Sequence, residues 1–321
     1  MTELLKSLCR RLLQHAIILG VRPYVLRELP GWGRVYAFFV GDYRRSWIWV
    51  NAPTKTTRGK LHGYVTRLDL SNWVDRGTFF LGRWYDLGTQ LFLTSLTRPG
   101  DTIVDIGANR GNFALIASRL VGDAGKVICF EPNPHCWATL DEQIASNAIS
   151  NVIVHRVGLG NRDEERTLSV PFINTGEGTF GTSAYDDALA YQVRAEVRRG
   201  DEILANEHPA LVKVDVEGFE CNVIAGMANV IKQNRPVILT EIVPAHLSRC
   251  NASVEKLVSL IESFGYQGFM LSIVKRDRCY DWHLSPFAEQ DHNVDAVWLH
   301  PDFLHRCAPF LDRHMGDRAP H

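Results

Sequence analysis

The sequence has no cysteines paired at short spacing. Its seven cysteines are scattered singly along 321 residues, from Cys9 to Cys307. Zinc ribbons and thioredoxin-like redox sites need C-x-x-C pairs, so this pattern argues against both classes. An odd number of cysteines in a chain of this length is typical of a reducing compartment rather than of a disulfide scaffold, so we expect a cytoplasmic protein.

An excess of charge and a long apolar run are also missing. The 35 Lys and Arg residues face 36 Asp and Glu residues, for a formal net charge of −1. Nucleic-acid-binding domains usually carry a basic excess, so we expect no nucleic-acid partner. The apolar run at residues 16–19 is far shorter than the roughly 20 residues that a membrane-spanning helix needs. We therefore expect no integral membrane span and interpret the N-terminus as an amphipathic helix.

Changes of pattern along the chain predict three regions. Residues 1–80 are interpreted as the N-terminal helix followed by a β-rich addition, because short apolar bursts at 34–40 and 46–50 are bounded by turn residues. Residues 81–300 are predicted to form the functional domain. Residues 301–321 mix Pro, His, Arg and Asp and are predicted to be a loose tail.

Strands alternate with helices between residues 102 and 264. This alternation predicts an α/β fold with a doubly wound, mostly parallel Rossmann-like sheet. The last two predicted strands, 266–273 and 294–299, have no helix between them and should pair antiparallel. Residues 280–283, which lie between these strands, are interpreted as a loop that either lines an acceptor pocket or packs as an ordinary loop.

A glycine turn follows the first strand of this sheet. The sequence Asp105-Ile-Gly107-Ala-Asn-Arg-Gly111 provides backbone freedom at two glycines, which allows a ligand to approach the main chain closely. The middle glycine of the dinucleotide fingerprint G-x-G-x-x-G is missing, which disfavours a nicotinamide dehydrogenase. Asp105 would repel a pyrophosphate and suits a cationic ligand such as S-adenosylmethionine, which carries a sulfonium and an ammonium group.

Acidic residues end or follow four strands of the predicted sheet: Asp105, Glu131, Asp215 and Glu241. The carboxyl ends of parallel strands lie at the edge where such sheets bind ligands, so these acids should meet there. Glu131 is well placed to accept hydrogen bonds from both hydroxyls of a ribose. Asp215 shares one side of its strand with Lys213 and is interpreted as a catalytic base or substrate anchor rather than only an ion-pair partner.

Two further candidates follow from residue type. His246 comes shortly after Glu241 and titrates near neutral pH, so it is a candidate general base. Glu241 is interpreted as either a substrate contact or a structural residue. Asp215 and Glu241 carry the hard oxygen ligands that Mg²⁺ prefers, but two carboxylates are too few to predict a metal site. Glu217 is interpreted as structural, with a position suited to capping the helix that begins near residue 218.

Taken together, these motifs resemble the FkbM family of S-adenosylmethionine-dependent methyltransferases, over residues 85–299. The matching segments are 105–111, 130–134, 213–218 with Glu220, and Glu241. The family's usual Thr-Leu-Asp before the fourth strand is Arg199-Gly200-Asp201 in this chain, and Asn112 replaces a common aromatic residue. Neither departure removes a contact to the cofactor, and both leave the substrate unspecified.

The resemblance implies a class I methyltransferase sheet and a site for S-adenosylmethionine. In this comparison the glycine turn holds the methionine end, Glu131 holds the ribose, and Val157 and Gly158 border the adenine. The cofactor residues implied are Asp105, Gly107, Ala108, Asn109, Gly111, Asn112, Glu131, Pro132, Asn133, Val157 and Gly158.

The resulting hypothesis is an S-adenosylmethionine-dependent methyltransferase with Asp215, Glu241 and His246 as candidate catalytic residues. The family resemblance favours O-methylation of a hydroxyl on a sugar, glycan or other natural product. Two alternatives stay open: a non-catalytic scaffold that binds an adenosyl ligand, and an N-methyltransferase. The sequence leaves the oligomeric state open.

Overall fold

The computed structural model of the chain describes residues 3–41, 43–172, 176–182, 189–276, 279–288 and 293–304. The chain forms two compact units, residues 1–87 and residues 88–321. Most of the predicted C-terminal tail, residues 305–321, lies outside the described residues. No helix within the described ranges has both the length and the apolar character needed to cross a membrane.

The first unit is mainly helical. Its strands β1 and β2 pair antiparallel as a hairpin, and the predicted N-terminal helix is present as α1. The elements are α1 (Glu3–Gly20), α2 (Arg22–Leu26), α3 (Trp32–Phe39), a 3₁₀ turn (Tyr43–Arg45), β1 (Thr54–Arg58), β2 (Val65–Asp69) and α4 (Trp73–Leu81).

The β-rich interpretation of this region was wrong. The burst at 34–40 lies almost entirely in α3, and the burst at 46–50 forms turns instead of a strand. The reason is visible in the packing of α3. Trp32, Val35, Tyr36 and Phe39 pack against the core of the first unit. Their spacing of three, four and seven residues places them on one face of the helix. In a short segment in which most residues are apolar, this helical period cannot be told apart from a strand pattern.

The second unit contains the large sheet and the helices that cover it. Its elements are α5 (Leu87–Leu96), β3 (Thr102–Ile106), α6 (Asn112–Val121), β4 (Lys126–Phe130), α7 (Pro134–Ser146), β5 (Val152–His155), β6 (Gly158–Gly160), β7 (Glu164–Pro171), β8 (Ala190–Arg199), α8 (Gly200–Ile203), β9 (Pro209–Val214), α9 (Glu220–Gly226), α10 (Ala228–Asn234), β10 (Val237–Ile242), α11 (Pro244–Arg249), α12 (Val254–Glu262), β11 (Gln267–Arg276), β12 (Cys279–Pro286) and β13 (Val294–Leu299).

The large sheet has the order β12-β11-β13-β10-β9-β3-β4-β5. The five strands from β10 to β5 are parallel, and β13 is antiparallel to both of its neighbours. This confirms the doubly wound, mostly parallel sheet with an antiparallel last strand. The chain order changes direction between β3 and β9, and sheets of this kind bind ligands at such a switch point. A smaller sheet has the order β6-β8-β7.

The segment predicted as a loop at 280–283 lies within β12. Trp282 is 1% exposed, packs edge-to-face on Phe92 with ring centroids 5.1 Å apart, and donates to Ser95 Oγ at 2.9 Å. The interpretation as a loop was therefore wrong. A buried indole whose N–H is satisfied belongs to the core, not to a ligand pocket.

Candidate functional site

The glycine turn, residues 105–111, joins β3 to α6 by folding over the end of β4. Gly107 and Gly111 have φ values of +82° and +88°, and Asn109 has a φ of +49°. The N–H groups of Gly107 and Ala108 both donate to the carbonyl oxygen of Phe130, at 3.0 and 3.1 Å. Left-handed backbone is accessible mainly to Gly and Asn, which explains the residue types of the turn.

Gly107 also packs against the main chain that follows β9. A Cβ atom at this position would lie 1.9 Å from the carbonyl oxygen of Asp215, and the Asp215 N–H donates to the Ile106 carbonyl at 3.1 Å. The glycine turn and the segment carrying Asp215 are therefore in direct contact, and this contact leaves no space for a side chain at residue 107.

We expect Gly107→Ala to lower the free energy of unfolding by about 3 kcal/mol or more, because the backbone at Asp215 must shift. Denaturant unfolding measures the loss. Gly100→Ala is the control: Gly100 also has a positive φ, +92°, but nothing lies within 4 Å of its added Cβ. The free energy of unfolding of the control should fall by only about 1–2 kcal/mol, because alanine is disfavoured in the left-handed backbone conformation. Equal losses in the two variants would contradict the contact argument.

The carboxylate of Glu131 is held by main-chain N–H groups on two sides. Oε2 accepts from Asn109 at 2.6 Å and Oε1 accepts from Asn133 at 2.7 Å. Burial raises the pKa of Glu131 to about 7, although these two hydrogen bonds oppose the rise. Asn133 in turn caps α7 by accepting from the His135 N–H at 3.1 Å. Glu131 therefore ties the glycine turn to the start of α7.

Lys213 connects two of the predicted acids. Asp105 and Lys213 are partners in the parallel register of β3 and β9. Lys213 Nζ lies 3.6 Å from Asp105 Oδ1 and 2.9 Å from Asp215 Oδ2. Burial by itself would lower the pKa of Lys213, but the carboxylates of Asp215 and Asp105 raise it above its usual range. The ammonium group is thus a fixed positive charge between the glycine turn and Asp215.

Asp105 is fully buried, and burial raises the pKa of its carboxyl group to about 6 in spite of Lys213. An acid with a raised pKa in the folded state stabilises the fold below its unfolded pKa and loses that contribution as the pH rises through the folded value. We expect the stability of the wild type, relative to Asp105→Asn, to fall by up to about 3 kcal/mol between pH 4 and 7. Urea unfolding of both proteins across this range measures the difference. A difference that does not change with pH would contradict the prediction.

Three carboxylates meet beside this lysine. Oxygen atoms of Asp215, Glu217 and Glu241 all lie within 4.8 Å of one another. Burial, followed by the charges of Asp215 and Glu217, raises the pKa of Glu241 to about 9. Burial and Asp215 also raise the pKa of Glu217 well above its usual value. Carboxylate oxygens are ligands that Mg²⁺ and Ca²⁺ prefer. Asp215 and Glu241 were considered as metal ligands from the sequence, and the structure adds Glu217 as a third potential ligand.

His246 also adjoins this cluster. Its Nδ1 lies 2.5 Å from Glu217 Oε2, although the two atoms do not have hydrogen-bond geometry. Burial lowers the pKa of His246, and the positive charge of Arg249 lowers it further. A neutral imidazole beside a carboxyl group can hold or pass a proton.

The capping role considered for Glu217 belongs to Glu220. Glu220 Oε1 accepts from the N–H groups of Gly218 and Val216, at 3.1 and 3.3 Å, at the turn before α9. Glu217 has a φ of +54° and directs its carboxylate to His246 instead. Both acids stand out in the sequence. Their spacing alone does not show that Glu220 caps the helix and that Glu217 joins the carboxylate cluster.

The remaining predicted residues surround this arrangement. Asn112 begins α6, and Pro132 lies between the two hydrogen-bonded residues Glu131 and Asn133. Gly158 begins β6, and a Cβ atom there would lie 2.9 Å from the Phe180 ring. Val157 packs against the main core of the second unit. The adenine contact of Val157 and Gly158 stays a prediction.

Comparison with known proteins agrees with the motifs. The curated protein hexuronic acid methyltransferase AglP of Haloferax volcanii is 31% identical over 142 residues, which are 43% of this chain and 55% of that protein. The chain thus matches about half of the length of that relative. Among solved structures, an FkbM methyltransferase from Methylobacillus flagellatus is 16% identical with a TM-score of 0.37, covering 70% of this chain and 53% of the other. A precorrin-6y C5,15-methyltransferase from Geobacter metallireducens is 14% identical with a TM-score of 0.38, covering 66% and 86%.

The methyltransferase FkbM domain matches residues 105–267, which is just over half of the chain. The matched range begins at the glycine turn and contains Glu131, Lys213, the three clustered carboxylates and His246. The protein therefore belongs to the FkbM family of S-adenosylmethionine-dependent methyltransferases.

Proposed function

We propose that this protein transfers the methyl group of S-adenosylmethionine to a hydroxyl group of a sugar or glycan. One observation carries the proposal: the glycine turn is in direct contact with the segment of Asp215, where Asp215 N–H bonds the Ile106 carbonyl at 3.1 Å. A cofactor held at the turn and a base at the end of β9 then lie side by side. The hexuronic acid named for the AglP relative supports a sugar acceptor.

The chemistry of the Glu131 carboxylate fits the ribose of the cofactor. Each oxygen accepts one main-chain N–H. A carboxylate oxygen has a further lone pair, so each can also accept one hydrogen bond from a vicinal ribose hydroxyl. The proposed role of Glu131 is to bind these hydroxyls, while Gly107, Ala108, Asn109 and the other residues assigned from the sequence shape the rest of the cofactor site.

S-adenosylmethionine, when bound, supplies an electrophilic methyl group on its sulfonium. Asp215 is the proposed base: Lys213 engages Oδ2 at 2.9 Å, so Oδ1 is the oxygen that accepts the proton of the acceptor hydroxyl. The side chain of Asp215 is 27% exposed, which permits contact with a substrate. Lys213 provides the countercharge of Asp215, and the pair of Glu217 and His246 can receive the proton next. The site also contributes to the rate of methyl transfer by holding the acceptor hydroxyl in line with the methyl group and the sulfur atom.

The experiment that tests the proposal measures S-adenosylhomocysteine release from S-adenosylmethionine with a panel of neutral and acidic oligosaccharides. We expect release that depends on the sugar, with the methyl group located on oxygen by NMR. Methyl transfer to nitrogen would establish the N-methyltransferase alternative. Tight binding of S-adenosylmethionine without turnover on any acceptor would favour the scaffold.

We expect methyl transfer to continue in excess EDTA. The ammonium of Lys213 already lies 2.9 Å from Asp215 and provides its countercharge. The assay is run with EDTA, with Mg²⁺, and with neither. Loss of turnover in EDTA that Mg²⁺ restores would contradict this prediction and assign Asp215, Glu217 and Glu241 to a divalent cation.

A further inference from the structure

The second unit contains a cavity of about 360 Å³ between the strand β7 and the ends of α9 and α11. The buried rings of Phe180 and Phe219 form its apolar wall, and Asn222 and Asn251 bring amide groups. Two arginines, Arg166 and Arg249, also line it. An apolar wall together with a few convergent polar groups is typical of a ligand site.

The two arginines differ in whether their guanidinium groups have partners within the described ranges. Arg166 Nη1 pairs with Glu164 at 3.0 Å, its Nη2 donates to the Phe180 carbonyl at 3.3 Å, and its guanidinium lies over the Phe219 ring. Arg249 is partly buried, and its side chain has no ion pair or hydrogen bond with any residue in the described ranges. A partly exposed guanidinium that has no ion pair within the described ranges can bind the carboxylate of a ligand.

Arg249 lies close to the proposed catalytic residues. It is three residues after His246 on α11, so the two side chains share a helix face. His246 contacts Glu217, which belongs to the carboxylate cluster with Asp215. Thr182 N–H donates to the Arg249 carbonyl at 3.1 Å, and Thr179 Oγ1 donates to the Glu217 carbonyl at 2.9 Å. One short segment therefore connects the cavity rim to the cluster.

The cavity continues away from this cluster. Arg166, Phe180 and Gly181 also line a second, shallow depression of about 590 Å³ over β7 and β8. A groove that extends past the first cavity suits a chain of sugar units better than a single small molecule. Glu164 and Glu165 also line the second depression, and Glu164 pairs there with Arg162 and Arg166. The arginine of the groove that has no ion pair within the described ranges is therefore Arg249 of the first cavity.

We infer that this cavity binds an acidic sugar unit of the acceptor and that Arg249 binds its carboxylate. This inference rests on the proposed function. The guanidinium presents parallel N–H donors that match both oxygens of a carboxylate. Asn222 and Asn251 can bind ring hydroxyls. Binding of the carboxylate here would orient a hydroxyl of the same or the adjacent sugar unit toward Asp215.

The test uses two trisaccharides of identical linkage, one ending in glucuronate and the other in glucose, titrated into the full chain saturated with S-adenosylhomocysteine. We expect the glucuronate compound to bind at least tenfold more tightly. Arg249→Gln should abolish this preference, and Arg249→Lys should retain part of it because the charge remains. Arg119→Gln, at an exposed arginine on α6, is the matched control and should leave the preference unchanged.

Each outcome decides the inference. Equal affinity for both sugars in the wild type, no binding of either sugar, or an unchanged preference in Arg249→Gln would overturn it. Unaltered S-adenosylhomocysteine affinity in Arg249→Gln verifies that the variant is folded. Failure of the proposed function looks different: the wild type would not bind S-adenosylhomocysteine, or would bind it without turning over any sugar.

Discussion

Asp215→Asn is expected to lower kcat for methyl transfer by about 100- to 10,000-fold, the usual contribution of a positioned general base. The amide keeps the shape of the side chain and can still accept from Lys213 Nζ through one oxygen. It cannot take the proton of the acceptor hydroxyl. Cofactor affinity should change little, because the contact between this segment and the glycine turn is made by the main chain of Asp215. A loss in kcat with unchanged affinity is therefore the expected signature.

The measurement combines turnover with calorimetric titration of S-adenosylhomocysteine. Asp123→Asn is a suitable control, since Asp123 is exposed and lies just after α6. The control should retain wild-type kcat. If Asp215→Asn keeps full turnover, Asp215 is not the base, and His246→Gln becomes the next variant. If no variant changes any reaction, the scaffold alternative gains support.

Glu131→Ala is expected to weaken S-adenosylhomocysteine binding by roughly 100-fold, since it removes charge-assisted hydrogen bonds worth about 1.5–3 kcal/mol each. It also leaves the N–H groups of Asn109 and Asn133 without their carboxylate acceptor, which loosens the glycine turn. Glu131→Gln keeps one oxygen acceptor and should weaken binding less. The wild type should bind with about micromolar affinity, near −8 kcal/mol.

Calorimetric titration of the three proteins measures these differences. Glu262→Ala, at an exposed acid on α12, controls for the general effect of removing a negative charge. The control should bind like the wild type. Equal affinity in the wild type and Glu131→Ala would remove Glu131 from the cofactor site, and weaker binding only in Glu131→Ala would support the ribose role.

Much of the fold could be predicted because its signals are local. Gly107 and Gly111 mark the turn, and Asn133 followed by Pro134 marks the start of α7, where the structure shows Asn133 capping the helix. Such signals depend on φ angles and caps within a few residues. The helix α3 was missed because its apolar face is spread over only eight residues. The strand β12 was missed because its pairing with β11 is decided by the neighbouring strand.

The sequence by itself determined the glycine turn, the alternation of strands and helices and the four acids at the carboxyl ends of the strands, because a parallel sheet brings those ends to one edge whatever its packing. Only the tertiary structure decided what each charge meets. The register of β3 and β9 places Lys213 beside Asp105. The turn before α9 brings Glu217 to His246, and α11 leaves Arg249 facing a cavity. These pairings join residues from different elements, and the interaction between charges depends on distances and burial that only packing determines.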